Sequence, residues 1–226
     1  MNKPLQIAID GPAGAGKSTI AKMIADKLDL LYLDTGAMYR ACALYLKREH
    51  ALGDEQKIAA LLPAMRLEFD QSGKHISLNG EDVSTEIRTP EITALTSEVS
   101  ALALVRECLV SKQREIAASR AVIMDGRDIG TVVLPEAQVK IFLTASPEAR
   151  SRRRLADLAQ KGIESNYETV LADIIKRDEQ DSTREHSPLK IAPDAEIIDT
   201  SAMSIDDVIK NILAIMKNKG LFSEDN

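Results

Sequence analysis

Residues 11–18, GPAGAGKS, set Gly11, Gly16, Lys17 and Ser18 at the spacing G-x-x-x-x-G-K-[ST]. One chemistry needs that spacing. Small residues let successive backbone N–H groups turn inward around a polyphosphate, and the following helix presents its positive N-terminus to it. Lys17 can neutralise β and γ oxygens, while the Ser18 hydroxyl can ligate Mg²⁺. The motif follows a short apolar run and precedes a helical pattern, the context it requires. The candidate nucleoside triphosphate contacts are Gly11, Pro12, Ala13, Gly14, Ala15, Gly16, Lys17, Ser18 and Thr19.

Three charged groups bear on what happens to the terminal phosphate. Asp34-Thr35-Gly36-Ala37-Met38-Tyr39-Arg40 closes a second apolar run, with Thr35 and Arg40 about one helical turn apart, close enough to reach one phosphorylated ligand. Taken alone it also fits a capped helix start. Asp125-Gly126-Arg127-Asp128 follows another apolar run: Asp125 is a candidate for holding Mg²⁺ through water, and Arg127 offers a planar bidentate fork to phosphate. An ordinary turn with a local ion pair is the alternative. The third group is Arg150, Arg152, Arg153 and Arg154, then Arg177, Asp181 and Arg184, the last three spaced to share one helix face. Asp173 and Asp178 would make this a solvated ion-pair surface. In an acidic chain, however, four clustered arginines repel one another unless an anion neutralises them. Phosphoryl transfer asks for in-line positioning and spread positive charge, which these parts supply together.

The elements that must carry these residues are legible from periodicity. Leu5–Asp10, Leu30–Leu33, Ala121–Met124 and Val139–Thr144 read as short apolar strands, the last two suited to a fully covered parallel sheet, and Glu196–Asp199 as a last short strand, all separated by helices. Helices are expected over Ile20–Leu28, Ala37–Glu49, Asp54–Leu62, Pro90–Ala103, Leu104–Ser119, from Ser146 to a stop at Gly162, Tyr167–Arg184, and through Ile205, Val208, Ile209, Ile212 and Met216 behind a capping box at Ser204 and Asp207. Between Arg66 and Ser84 the period falls to two, with turn pairs at Ser72-Gly73 and Asn79-Gly80, so a small antiparallel sheet interrupts the α/β pattern. The tail from Ser223 is expected to fray.

Bulk properties narrow the class. The chain has 226 residues, 44% hydrophobic and 28% charged, with net charge -6. An acidic chain argues against nucleic-acid binding. Apolar runs are too short to span a membrane, and no separate signal segment precedes the first strand. Cys42 and Cys108, each inside a helical pattern, read as reduced, buried residues, and the expected location is the cytoplasm.

GPAGAGKST, LDTGAMYRA, EIRTPEIT, the VRE segment at Arg106, DGRDIGTVVLPEA and KRDEQDSTRE, in that order, resemble bacterial cytidylate kinases from about residue 5 to residue 216. The resemblance implies a three-layer α/β P-loop kinase fold with a five-stranded parallel sheet, a helical lid and an antiparallel insertion. It implies a core (1–35, 91–145, 190–226), a nucleoside-monophosphate-binding region (36–90) and a lid (146–165). It implies transfer of the ATP γ-phosphate to CMP or dCMP, with Mg²⁺ as cofactor; nothing in the sequence demands more than a monomer. Carried over by position, Thr35 and Arg40 contact the monophosphate substrate; Thr35 stands where serine is commoner and keeps the hydroxyl. Ser97, Arg106 and Asp128 surround the cytosine, Arg127 and Arg184 grip its phosphate, and Arg177 and Asp181 meet the ribose. Lys17, Arg127, Arg184 and Arg153 are the expected catalytic cations, and Ser18 and Asp125 the metal contacts. Other small-acceptor P-loop kinases and a nucleotide-sensing regulator remain the alternatives.

Overall fold

The computed structural model describes residues 3–70, 73, 75–160 and 162–221. In chain order the elements are β1 (Gln6–Asp10), α1 (Lys17–Leu28), β2 (Leu31–Asp34), α2 (Thr35–Arg48), α3 (Glu55–Leu61), β3 (Leu67–Phe69), β4 (Ile76–Leu78), β5 (Glu81–Asp82), α4 (Pro90–Val99), α5 (Ala103–Ser119), β6 (Val122–Gly126), β7 (Val139–Thr144), α6 (Pro147–Gln160), α7 (Tyr167–Thr183), β8 (Glu196–Asp199) and α8 (Ile205–Asn218). β1, β2, β6, β7 and β8 form one parallel sheet in the order β2-β6-β1-β7-β8.

Alternation along the strands builds three layers. Ile7 and Ile9 of β1 join Ile20 and Ile24 of α1 and Ile212 of α8 in one apolar cluster. Ala8 points the other way, into a larger cluster with Met38 and Leu44 of α2, Ile92 of α4 and Leu109 of α5. Strands covered on both faces read as near-continuous apolar runs, which is why these segments stand out in the sequence. By contrast α6 and α7 pack on each other and bury little: Val170 and Ile174 are the buried residues of α7.

The antiparallel piece is a three-stranded sheet, β3-β4-β5. Asn79 and Gly80 take φ of 51° and 90°, as the two-residue turn between β4 and β5 demands. The other expected turn residue, Ser72, and the tail from Ser223 lie outside the described residues. Ser204 caps α8, accepting from the Asp207 amide at 3.2 Å. Asp125 and Gly126 belong to β6 itself instead of following it. Beyond them, Ile129–Val133 forms a single π-helical turn that no periodicity announced. Among the described residues no helix is long and apolar enough to cross a membrane.

Candidate active site

The phosphate loop leaves β1 at the point where the strand order reverses, the ligand edge of an open α/β sheet. Gly11 has φ of 144°, and a Cβ there would lie 1.9 Å from the Leu143 carbonyl oxygen, so loop and β7 backbone approach too closely for any side chain. Gly16 opens α1 in the left-handed region with no side-chain cap, which leaves the first-turn N–H groups to a ligand. Lys17 is buried and its Nζ donates to the Pro12 carbonyl at 2.7 Å. Burial first, then Arg127, holds the Lys17 amine well below the usual lysine range. Ser18 and Thr19 are exposed at the helix start.

Asp125 ties this loop to the neighbouring strands. The Ser18 hydroxyl donates to Asp125 Oδ2 at 2.7 Å, the Tyr32 hydroxyl to Oδ1 at 2.8 Å, and the Thr35 hydroxyl to the Asp125 carbonyl at 2.7 Å. Burial and the neighbouring Asp34 push the Asp125 carboxyl up. No cluster of three or more His, Cys, Asp or Glu that could hold a metal occurs among the described residues. A hard divalent ion would therefore rest on Ser18 and Asp125 and take its remaining oxygens from nucleotide and water, the usual habit of Mg²⁺. The residues present fit that mode.

Beside the loop, arginines and carboxylates interleave. Arg40 Nη2 reaches Asp34 Oδ2 at 3.2 Å, and Arg88 reaches the same oxygen at 3.5 Å. Arg106 pairs with Asp128, both side chains nearly inaccessible, and donates to the Ser100 carbonyl at 3.2 Å. Arg184, the residue that ends α7, lies 3.7 Å from Asp128 and 4.0 Å from Asp181. Arg127 Nε donates to Asp181 Oδ2 at 2.7 Å. Burial works against the Asp181 charge, but Arg127 and Arg177 hold its pKa below the ordinary value. Arg177 is driven down to about 10 by burial and by Arg127, with Arg40 and Arg154 adding to the repulsion.

Most of the residues singled out in the sequence thus converge on one edge of the sheet. Ser97 is half-buried in the last turn of α4, its carbonyl accepting from the Ser100 hydroxyl at 3.2 Å. Arg153 turns elsewhere: its Nη1 donates to Thr200 Oγ1 at 3.0 Å, beside the loop after β8. The expected four-arginine cluster on α6 is not formed. Arg150 turns to the phosphate loop and Asp178, Arg153 to Thr200, and Arg152 and Arg154 are exposed, so fanning and pairing relieve the repulsion among the four, although Arg154 still acts on Arg177. Successive helical residues project about 100° apart, which a string of arginines conceals.

Several side chains of this cluster carry no mark of their own in the sequence. Tyr39 lies with its ring centroid 5.3 Å from the Arg106 guanidinium, and its buried hydroxyl has no hydrogen-bond partner among the described residues. Arg106 Nε is likewise buried and unpartnered. Asp10 accepts from the Ile129 and Gly130 amides at 2.8 and 2.7 Å, pinning the π turn that follows Asp128. Their signal was adjacency alone: Asp10 precedes Gly11, and Tyr39 precedes Arg40.

Comparison with known proteins shows the family. Residues 7–218 match the family model described as cytidylate kinase. A cytidylate kinase of Thermosipho melanesiensis is 50% identical over 216 residues, covering 96% of this chain and 98% of that protein. One from Caldanaerobacter subterraneus is 52% identical over 220 residues, 96% of this chain and 97% of the relative. An uncharacterised protein from Eubacterium ventriosum, known by crystal structure, shares the fold at a TM-score of 0.52 with 12% identity, covering 94% of this chain and 98% of its own. The family match spans nearly the whole chain, and the chain belongs to the cytidylate kinase family.

Proposed function

We propose that this member of the cytidylate kinase family transfers the γ-phosphoryl group of ATP to CMP or dCMP, giving ADP and CDP or dCDP. The observation that carries the reading is the convergence, on one sheet edge, of a phosphate loop with a buried Arg106–Asp128–Arg184 cluster. In the transfer, an oxygen of the acceptor phosphate bonds to the γ-phosphorus as its bond to the bridging β–γ oxygen breaks, and the electron pair stays on ADP. Such a step needs positioning and charge more than covalent help.

The loop Gly11–Thr19 cradles the donor phosphates with its backbone amides, and Lys17 leaves the Pro12 carbonyl to stabilise the charge that develops between the phosphates. Ser18 and Asp125 would hold Mg²⁺, which would supply charge neutralisation to the donor phosphates. Arg127 and Arg184 bind the acceptor phosphate, with Thr35 and Arg40 beside it, while Arg177 and Asp181 take the ribose. Residues 36–90 act as the acceptor-binding region and 146–165 as the lid, where Arg153 supplies a further cation; the rest is core.

Cytosine chemistry fits the buried cluster. Its N4 amine is a donor and meets an acceptor in Asp128 or the Ser97 hydroxyl; N3 and O2 are acceptors and meet Arg106. Uracil presents O4 and N3–H instead and reverses two of these partners. A coupled phosphoryl-transfer assay with CMP, dCMP, UMP and AMP tests the assignment. CMP and dCMP are expected to be far the best acceptors, and CMP no better than UMP or AMP would overturn it.

A further inference from the structure

Arg150 has no part in the transfer described above, yet it is 3% exposed and bonded to three elements at once. Its Nε donates to the Ala145 carbonyl just after β7 at 2.9 Å. Its Nη1 donates to the Ala13 carbonyl of the phosphate loop at 3.1 Å and to Asp178 Oδ1 at 3.0 Å, and Nη2 to Asp178 Oδ2 at 2.6 Å. The stem of the side chain lies flush against the loop, since a Cβ on Gly14 would stand 3.2 Å from Arg150 Cβ. Asp178 follows Arg177 on α7 and precedes Asp181 by less than one turn. One guanidinium thus joins the donor loop to the helix that carries two of the acceptor residues proposed above.

The two peptide units involved are adjacent. Lys17 holds the Pro12 carbonyl and Arg150 holds that of Ala13. A triphosphate that recruits Lys17 releases the first carbonyl, and the second stays anchored to Arg150. Loop ordering is then felt at Asp178 through a rigid, bidentate fork.

We propose that Arg150 and Asp178 are positioning residues that couple the two substrate sites, so that filling the phosphate loop orders α7 and raises acceptor affinity at Arg177 and Asp181. The second half of this statement rests on the acceptor assignment; the first half does not. Lysine at 150 keeps the charge but lacks the fork, and asparagine at 178 keeps the shape but loses the charge.

The test uses the full chain, wild type, Arg150→Lys, Asp178→Asn and the double variant, with Mg²⁺ and a non-hydrolysable ATP analogue. Amide hydrogen exchange along α7 reports the first half, and CMP titration with and without the analogue reports the second. In the wild type the analogue slows exchange in α7 and tightens CMP binding by about 5- to 150-fold, the usual range of coupling between sites. Either single variant brings that factor to within about twofold of unity, and the double variant adds nothing further, as expected of residues acting as one unit. Equal α7 protection in folded wild type and variants, or none in the wild type, overturns the coupling. Donor-driven protection with no CMP binding would instead uphold the coupling and remove the acceptor assignment.

Discussion

Asp128→Asn places the heaviest load on the proposed acceptor site. Asp128 and Arg106 are each 4% exposed, and Arg184 stands 3.7 Å from the same carboxylate. Removing the charge leaves two guanidinium groups facing a neutral amide with little water to compensate. Breaking one side of a buried pair costs about 3–5 kcal/mol. The asparagine carbonyl still accepts one hydrogen bond, worth about 1 kcal/mol, so a net loss of about 2–4 kcal/mol is expected. For a chain of this size each kcal/mol lowers the melting temperature by about 2–4 °C, so the variant should melt roughly 4–16 °C lower.

On the proposed assignment the same change should act on base choice. A carboxylate accepts only, whereas an amide also donates, and the O4 of uracil can take that donor. Each buried mismatch is worth about 1–3 kcal/mol. At 1.4 kcal/mol per tenfold, the ratio of kcat/KM for CMP over UMP should fall by about 5- to 150-fold. The KM for ATP should hold, because none of the hydrogen bonds of the phosphate loop involves Asp128. The assay is steady-state transfer to both acceptors below the melting transition. A folded variant with an unchanged CMP/UMP ratio would remove Asp128 from base recognition.

Lys17→Ala should lower kcat by about 10²–10³ while CMP still binds, as for loss of one preorganised donor to a developing charge; near-normal turnover would contradict that role. Gly11→Ala should abolish nucleotide binding, because its Cβ would meet the Leu143 carbonyl at 1.9 Å; wild-type affinity for the ATP analogue by calorimetry would refute the steric argument. Burial raises Asp10 to about 6, against the pull of its two backbone donors and Lys17. A raised acid stabilises the fold while protonated: its contribution is full below the unfolded value near 4 and is lost as pH rises through 6. That rise corresponds to on the order of 3 kcal/mol, so the melting temperature of Asp10→Asn should gain on wild type between pH 4 and 7; a gap that does not change with pH would show that Asp10 does not titrate in this way.

How much of this was legible in the sequence depended on the range of the cause. The phosphate loop was legible because its glycines and Lys17 are fixed by local backbone geometry. The strands were legible because sheets covered on both faces leave unbroken apolar runs such as Val139–Thr144. Asn79-Gly80 marked its turn by the same local logic. What escaped depends on distant partners or on helix azimuth. Arg106 meets Asp128 from 22 residues away and Arg127 meets Asp181 from 54, and no spacing rule joins them. The fanning of Arg150, Arg152 and Arg153 requires the position of the helix axis. The π turn at Ile129–Val133 is held by Asp10, more than a hundred residues earlier, and leaves no periodic trace.

The pairing of these cations changes how an acidic chain of net charge -6 can receive phosphate dianions. Unpaired arginines at one edge would repel one another and wander; each held by a carboxylate keeps its place, at some loss of raw attraction for phosphate. Arg40 is held by Asp34, Arg106 by Asp128, Arg127 by Asp181 and Arg150 by Asp178. Preorganised cations of this kind need no rearrangement as charge shifts during transfer. Arg177 is the point of tension: burial, Arg127, Arg40 and Arg154 all press its pKa down, with Asp181 opposing. Negative charge arriving beside Arg127 and Arg40, two of the proposed phosphate contacts, would ease that repulsion. Arg177 is the neighbour of Asp178 on α7, so charge arriving at the proposed acceptor site would be felt on the helix that Arg150 joins to the phosphate loop.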